Sequence, residues 1–364
     1  MLKQIEIQNF RCFEKIKISG FERVNLIGGK NNAGKTALLE ALVLYVAPKA
    51  SSIEMLRELR RESSEALKAM PKRAWDNLFH LLEKNKIIVI IGSRDNYRDY
   101  RVEIVRESLF NIFTTTLVDK IASQGIIDSL PKDKAGVSVI TIKLIINEED
   151  PFLSSLIASS SGSTNIDRIS LDDDTDEVAI IPSFIRISGK ELTAAYDRAR
   201  LDEKDSEVLK AFQVIDPAIE SVESFSIGEP TLYLRRKGES RLPLSLFGDA
   251  INRVADIILK LVNSEHKILL IDEIENGIHY TNQRDFWRIV FRLAVEMDTQ
   301  IFATTHSLEM LQAFADVGLE FNQKCSSAYF ELARKLKTNQ IIASRLDLET
   351  LNYALEHQEG VRGE

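Results

Sequence analysis

The sequence is poor in the residues that staple or metallate small folds. Its two cysteines, Cys12 and Cys325, lie far apart and offer neither a disulfide framework nor a zinc spacing. The five histidines are scattered as well, which argues against a structural zinc site. No apolar run approaches the ~20 residues that would cross a bilayer. The opening MLKQIEIQNF alternates like a strand where a signal peptide would carry an apolar core. A soluble cytoplasmic protein without membrane association is expected. A net charge of −8 speaks against a chain coated with nucleic acid and leaves room only for a local basic track. There is no internal repeat, and no low-complexity tract beyond the serine cluster at 159–165.

What is present is a large apolar fraction, 44%, in a chain of 364 residues, which suits one large or two ordinary domains. Its most informative stretch is 23–44, RVNLIGGKNNAGKTALLEALVL. Here Gly29-x-x-x-x-Gly34-Lys35-Thr36 has the spacing of a phosphate-binding loop. Val24, Asn25, Leu26 and Ile27 read as a buried strand before it. Ala37, Leu38, Leu39, Glu40, Ala41 and Leu42 are strong helix formers after it. A loop between strand and helix exposes free N–H groups and the positive end of the helix dipole, both of which favour a phosphate. Lys35 supplies a point charge to the terminal phosphates, and the Thr36 hydroxyl is suited to Mg²⁺.

Further along, alternation predicts strands at 2–9, 15–19, 86–91, 100–105 and 137–146, another at 178–187 broken by Pro182, and two more at 224–227 and 232–234. Helices are expected over 52–70, stopped by Pro71, over 107–127 and over 189–212. The acidic run Asp172, Asp173, Asp174, Asp176 and Glu177 reads as a solvated loop. The expected division is an N-terminal lobe with the phosphate loop at 1–148, a mainly helical insertion at 149–222, and a C-terminal lobe at 223–364.

A second half of the site is expected far downstream. Ile268, Leu269, Leu270 and Ile271 form an apolar run ending in Asp272 and Glu273, as a buried parallel strand with acids at its ligand-binding tip would. Asp272 is then suited to hold Mg²⁺ and Glu273 to act as general base toward a water. Ile301, Phe302 and Ala303 lead likewise into Thr304, Thr305, His306 and Ser307, where His306 is suited to sense the γ-phosphate.

Taken in order, NFRCF, GGKNNAGKTALLEAL, LPLSLFGDAINR, ILLIDEIENGIHY and IFATTHS resemble the ABC-like ATPases of the SMC/RecF/OLD group. More narrowly they are similar to the stand-alone AAA-type ATPases of bacterial anti-phage and toxin-like systems. The resemblance covers 1–50 and 225–315. It implies an α/β fold: a P-loop NTPase with an ABC-ATPase-like head, a mixed central sheet, an antiparallel β lobe and helical insertions near 50–85 and 150–222. It also implies a homodimer of heads, open to higher assembly, closed around ATP and Mg²⁺. Each ATP would meet Gly29, Asn31, Asn32, Ala33, Gly34, Lys35, Thr36 and Ala37 of one subunit and the signature residues Ser245, Gly248 and Asp249 of the other. Thr36 and Asp272 would hold the metal, and Lys35, Glu273 and His306 would carry the chemistry.

The segment LPLSLFGDAINR reads equally as an ordinary cap and amphipathic helix, and position 250 is Ala where relatives have a second Gly. By the same resemblance, Glu275 to His279 would contact the other subunit, and Arg11 would either reach the nucleotide or end a surface strand. No glutamine of the Q-loop kind can be assigned: Gln124 and Gln213 lie in the right interval, and neither follows a core strand. The tail after Ser307 is shorter than the ~100 residues of an added domain, so a nuclease or toxin is expected on a separate effector chain. Three functions stay open: an anti-phage sensor ATPase, a DNA-repair or chromosome-maintenance ATPase, and a non-hydrolysing scaffold. Arg57, Arg60, Arg61, Lys68, Lys72 and Arg73 would form a DNA track in the first two, or simply one face of a solvated helix.

Overall fold

Helix α1 (Lys35–Val46), which follows the phosphate loop, is buried from Ala37 to Val46. A helix that is apolar all round needs cover on every side. In the computed structural model, which describes residues 1–94, 97–107, 136–146, 151–167, 178–184, 187–263 and 267–357, that cover comes from two sheets.

The first is an antiparallel sheet of seven strands in the order β2-β1-β4-β5-β6-β7-β8. These are β1 (Leu2–Phe10), β2 (Phe13–Ser19), β4 (Ile88–Arg94), β5 (Tyr97–Glu107), β6 (Ser138–Ile146), β7 (Phe152–Ser159) and β8 (Gly162–Asp167). The second has six strands in the order β16-β15-β3-β14-β13-β9. They are β3 (Val24–Gly29), β9 (Val178–Ile181), β13 (Ile268–Ile271), β14 (Gln300–Thr304), β15 (Ser327–Arg334) and β16 (Ile341–Leu346). All its pairings are parallel except β15 with β16. A small antiparallel sheet joins β10 (Ile219–Phe225), β11 (Thr231–Arg236) and β12 (Leu242–Pro243).

The inner strands of the six-stranded sheet, β3, β13 and β14, are buried on both faces, and their two-residue period divides their side chains between two cores. Ile268, Leu270, Phe302 and Phe330 face α1 and the antiparallel sheet. Leu269, Ile271, Ile301, Ala303 and Tyr329 face a layer of helices. That layer consists of α4 (Gly189–Leu201), α5 (Asp205–Ile215), α6 (Asp249–Val262), α7 (Gln283–Glu296), α8 (Leu308–Phe321) and α9 (Leu348–Glu356). Between α7 and α8, Trp287 meets Phe314 edge-on at 5.0 Å and donates its indole N–H to Met310 O at 3.3 Å. Two short helices, α2 (Ala50–Leu59) and α3 (Ser64–Ala69), lie against β7 and β8.

The architecture has the mixed central sheet and antiparallel lobe that the resemblance implied, and it corrects several local readings. The stretch 149–222 holds α4 and α5, but also β7, β8 and β9, so it is not mainly helical. The sequence reading places no strand at 152–159, where Ser154 and Ser155 are buried in β7. Ser154 Oγ accepts Ala50 N–H at 2.7 Å, and Ser155 Oγ lies 2.9 Å from Thr141 Oγ1. Hydrogen-bonded serines inside a sheet carry no apolar alternation for the eye to find. The expected helices 52–70 and 189–212 are each two helices, broken where Arg61 and Glu203 take φ of 54° and 57°. Strands β15 and β16 escaped the reading altogether. The expected helix beyond Glu107, Gln124 and the acidic run at 172–177 fall outside the described residues.

Because α1 has a sheet on either side, a truncation within it cannot collapse onto solvent. Leu42→Ala is expected to destabilise the protein by about 2–5 kcal/mol, whereas Leu336→Ala, at a fully exposed side chain, should change stability by no more than ~0.5 kcal/mol. Urea unfolding of both variants measures the contrast.

Candidate nucleotide-binding site

The loop between β3 and α1 needs glycine for steric reasons that can be named. Gly29 has φ +134°, and a Cβ there would run into the carbonyl of Leu332 on β15. Gly34 has φ +96° and caps α1, with Phe13 and the Cys12 sulfur 3.0 Å from where its Cβ would stand. Helix α1 has no side-chain cap and no acid in its first turn. Its leading N–H groups and its dipole are therefore left for an anion. By contrast α8 and α9 have their first turns capped by Ser307 and Asp347. Asn31 and Asn32 are exposed at the loop apex, and Ala33 and Ala37 are buried beneath it. The Lys35 ammonium lies within the loop, donating to Gly29 O at 2.7 Å and Lys30 O at 3.1 Å. Burial lowers its pKa, against the opposing fields of Asp272, Glu275 and Glu273.

Those fields mean that the carboxylates have come back beside the loop. Thr36 Oγ1 lies 3.3 Å and 3.2 Å from the two Asp272 oxygens. Thr304 Oγ1, from the neighbouring strand tip, donates to Asp272 Oδ1 at 2.6 Å and accepts Glu273 N–H at 2.8 Å. Burial raises the Asp272 pKa; hydrogen bonds from Thr304 and Thr36 oppose this, and the Glu273 charge adds to it. Adjacent ligands of an octahedral Mg²⁺ with bonds of 2.0–2.1 Å sit about 3.0 Å apart. The hydroxyl and carboxylate oxygens are close to that separation, so Thr36 and Asp272 fit such an ion together with phosphate oxygens. Among the described residues no cluster of three or more His, Cys, Asp or Glu is arranged to hold a metal by itself.

Two residues that sequence reasoning did not single out support this edge. Arg253 on α6 is buried behind the strand tips and donates to the carbonyls of Pro182 and, at 2.5 Å, Asp272. It ties α6 to the ends of β9 and β13. Asn276 Nδ2 donates to Glu273 Oε2 at 2.9 Å and Ser183 O at 3.2 Å. Glu273 has φ 50°, a left-handed backbone unusual for a residue other than glycine. Such a conformation is disfavoured by ~1–2 kcal/mol. An Asn three residues after an acid gives no sequence signal of its own.

A cleft of about 480 Å³ opens beside the loop, lined by Gly29, Lys30 and Asn31 on one side and Thr305, His306 and Ser307 on the other. Thr305 N–H donates to Ile27 O at 3.0 Å, which fixes the β14 tip to β3. His306 is therefore brought to the phosphate edge.

Other named residues do not converge here. Ser245 and Gly248 lie exposed on a 3-10 turn and at the start of α6, where Asp249 opens the helix. Neither Ser245 nor Gly248 is hydrogen-bonded to the phosphate loop of the same chain among the described residues. Arg11 is anchored within the chain. It is mostly buried, donating to Glu40 at 3.0 Å and Asn77 O at 3.0 Å, while Arg60 takes the other Glu40 oxygen at 2.6 Å. Gln213 sits in α5 and donates to Ile219 O at 2.9 Å. Of the suggested DNA track, Arg57, Arg60, Lys68 and Arg73 each pair with an acid. No helix among the described residues is long and apolar enough to cross a membrane.

Comparison with known proteins adds a family to this geometry. Residues 24–311 match the family described as "AAA domain, putative AbiEii toxin, Type IV TA system". An ATP/GTP phosphatase of Helicobacter pylori is 25% identical over an alignment covering 100% of both chains. The DNA replication and repair protein RecF of Bacillus cereus is 36% identical over 64 residues, 18% of this chain and 17% of that protein. The Smc head domain of Pyrococcus furiosus, solved bound to the C-terminal domain of ScpA, aligns over 98% of this chain and 99% of its own with 12% identity and a TM-score of 0.49. Since the family match starts at the first residue of β3 and runs into α8, taking in the phosphate loop, the β13 acids and the β14 tip, the chain belongs to this AAA-domain family.

Proposed function

We propose that the protein is a Mg²⁺-dependent ATP hydrolase whose heads pair around nucleotide, and that it works as the sensor or regulator of a bacterial anti-phage defence complex with a separate effector chain. The observation that carries the hydrolase reading is the approach of Thr36 to Asp272, at 3.2 Å, beside Lys35. The uncapped α1 N-terminus binds the phosphates, and Lys35 pairs with their terminal charge. Thr36 and Asp272 hold Mg²⁺, which when bound neutralises charge on the β- and γ-phosphates. Glu273, oriented by Asn276, takes a proton from the attacking water. His306 contacts the γ-phosphate across the cleft.

Pairing of heads is supported by what lies around the signature. Ser245 and Gly248 are exposed, and Leu246 between them is 68% exposed. A large exposed apolar side chain beside two small residues suits a surface covered by another copy. The defence role draws on the family's description as a toxin of a toxin–antitoxin system. The name of the full-length relative, ATP/GTP phosphatase, agrees with hydrolysis. A second reading, DNA repair or chromosome maintenance, draws on the RecF match, which is confined to 64 residues.

Glu273→Gln should retain nucleotide binding and lower kcat by about 10²–10⁴-fold; turnover at the wild-type rate removes Glu273 from the base role. Lys35→Ala should instead weaken nucleotide binding, as read by calorimetry with MgATP. In MgATP, Glu273→Gln should run as a dimer in light scattering, and adding Ser245→Arg should return it to monomer. A salt titration of duplex DNA binding separates the second reading, which fails if affinity shows no dependence on salt.

A further inference from the structure

The turn after β13 carries another carboxylate, to which the reaction gives no part. The Glu275 side chain is only 9% exposed, and its Oε1 lies 2.9 Å from His306 Nδ1. The same oxygen accepts the backbone N–H of His306 at 2.8 Å. The other oxygen, Oε2, is buried with no hydrogen-bond partner among the described residues. The imidazole itself is half exposed and lines the cleft opposite Lys30 and Asn31.

We propose that Glu275 is a positioning residue for His306: it holds the ring with the proton on Nδ1 and leaves Nε2 for the phosphate edge. The inference rests on the reading of His306 as the group that meets the γ-phosphate. An ionised carboxylate only accepts, so the hydrogen on the shared bond belongs to the ring. The bond made by one ring nitrogen decides what the other can do. Two hydrogen bonds from one residue to one oxygen fix the backbone and the ring together. They remove the rotation that an exposed imidazole would otherwise have.

The carboxylate does not depend on His306 for its own place. Its peptide is held by Asn276 N–H on Glu273 O at 3.0 Å, Ile278 N–H on Glu275 O at 2.9 Å, and Ile274 N–H on Thr304 O at 3.0 Å. One turn therefore carries the general base, the Asn that orients it and the acid that orients the sensor. A mere tether would not need a buried carboxylate with an unsatisfied oxygen, which is costly to desolvate.

The test uses the full chain with Glu275→Ala, Glu275→Gln, His306→Ala and the double variant Glu275→Ala/His306→Ala. Glu275→Ala should lower kcat by about 10–100-fold, the usual loss for the outer partner of a working histidine, with MgATP affinity within ~3-fold. The double variant should be no slower than His306→Ala, because the two residues act as one unit. Glu275→Gln keeps an acceptor and should recover part of the loss. In ¹⁵N-histidine-labelled protein, the His306 signal, identified by its absence from His306→Ala, should report a proton on Nδ1. That proton should persist in Glu275→Gln and move to Nε2 in Glu275→Ala. A slow His306→Ala with a normal Glu275→Ala overturns the inference alone. A normal His306→Ala overturns the sensor reading on which it rests. Wild-type His306 protonated on Nε2 overturns the inference even if Glu275→Ala does not fold.

Discussion

The parallel pairing of β3 with β14 and of β14 with β13 is the constraint on which the site depends. Ile27 lies opposite Thr304, and Ile271 opposite Ala303. Parallel strands end on the same side, so this register delivers the phosphate loop, Asp272 and the Thr304–His306 tip to one edge. Thr304 then acts as the local hub, since its hydroxyl binds both the Asp272 carboxylate and the Glu273 amide. A one-residue slip would send Thr304 to the opposite face and lose both bonds.

Burial gives this edge its appetite for charge. It lowers the pKa of Lys35 and raises that of Asp272, so each charged form is disfavoured where it stands. An anion beside the lysine and a cation beside the aspartate relieve both penalties. Glu40, one turn along α1, is the instructive contrast. It is just as buried, but Arg11 and Arg60 satisfy its two oxygens, so it holds structure together and asks for no ligand. The same helix thus carries a structural charge on its flank and an uncapped, ligand-ready end.

The turn 273–276 orients two carboxylates at this edge. Glu273 takes a left-handed backbone and is held by Asn276, while Glu275 faces inward to His306. The resemblance gave Glu275 a place facing another subunit. Within one chain Glu275 contacts His306, and Gly277 and His279 of the same segment are exposed.

Much of this was legible in the residues. The glycine spacing, the helix formers after it and the two apolar runs ending in Asp272-Glu273 and Thr304-Thr305-His306 are local patterns, and each marks a strand tip or helix start by itself. The family match agrees with the resemblance that those motifs carried. Local pattern failed where burial is polar, as at Ser154 and Ser155, and where a helix is interrupted by one left-handed residue. It was also silent on Arg253, Asn276 and the Glu275–His306 pair, whose partners lie on other elements or gain meaning only from a backbone turn. The sequence by itself determined the chemistry available, because residue type and near-neighbour spacing are properties of the chain. Only the tertiary structure decided which charges are satisfied and which are left for a ligand, because that depends on what packs against each group from hundreds of positions away.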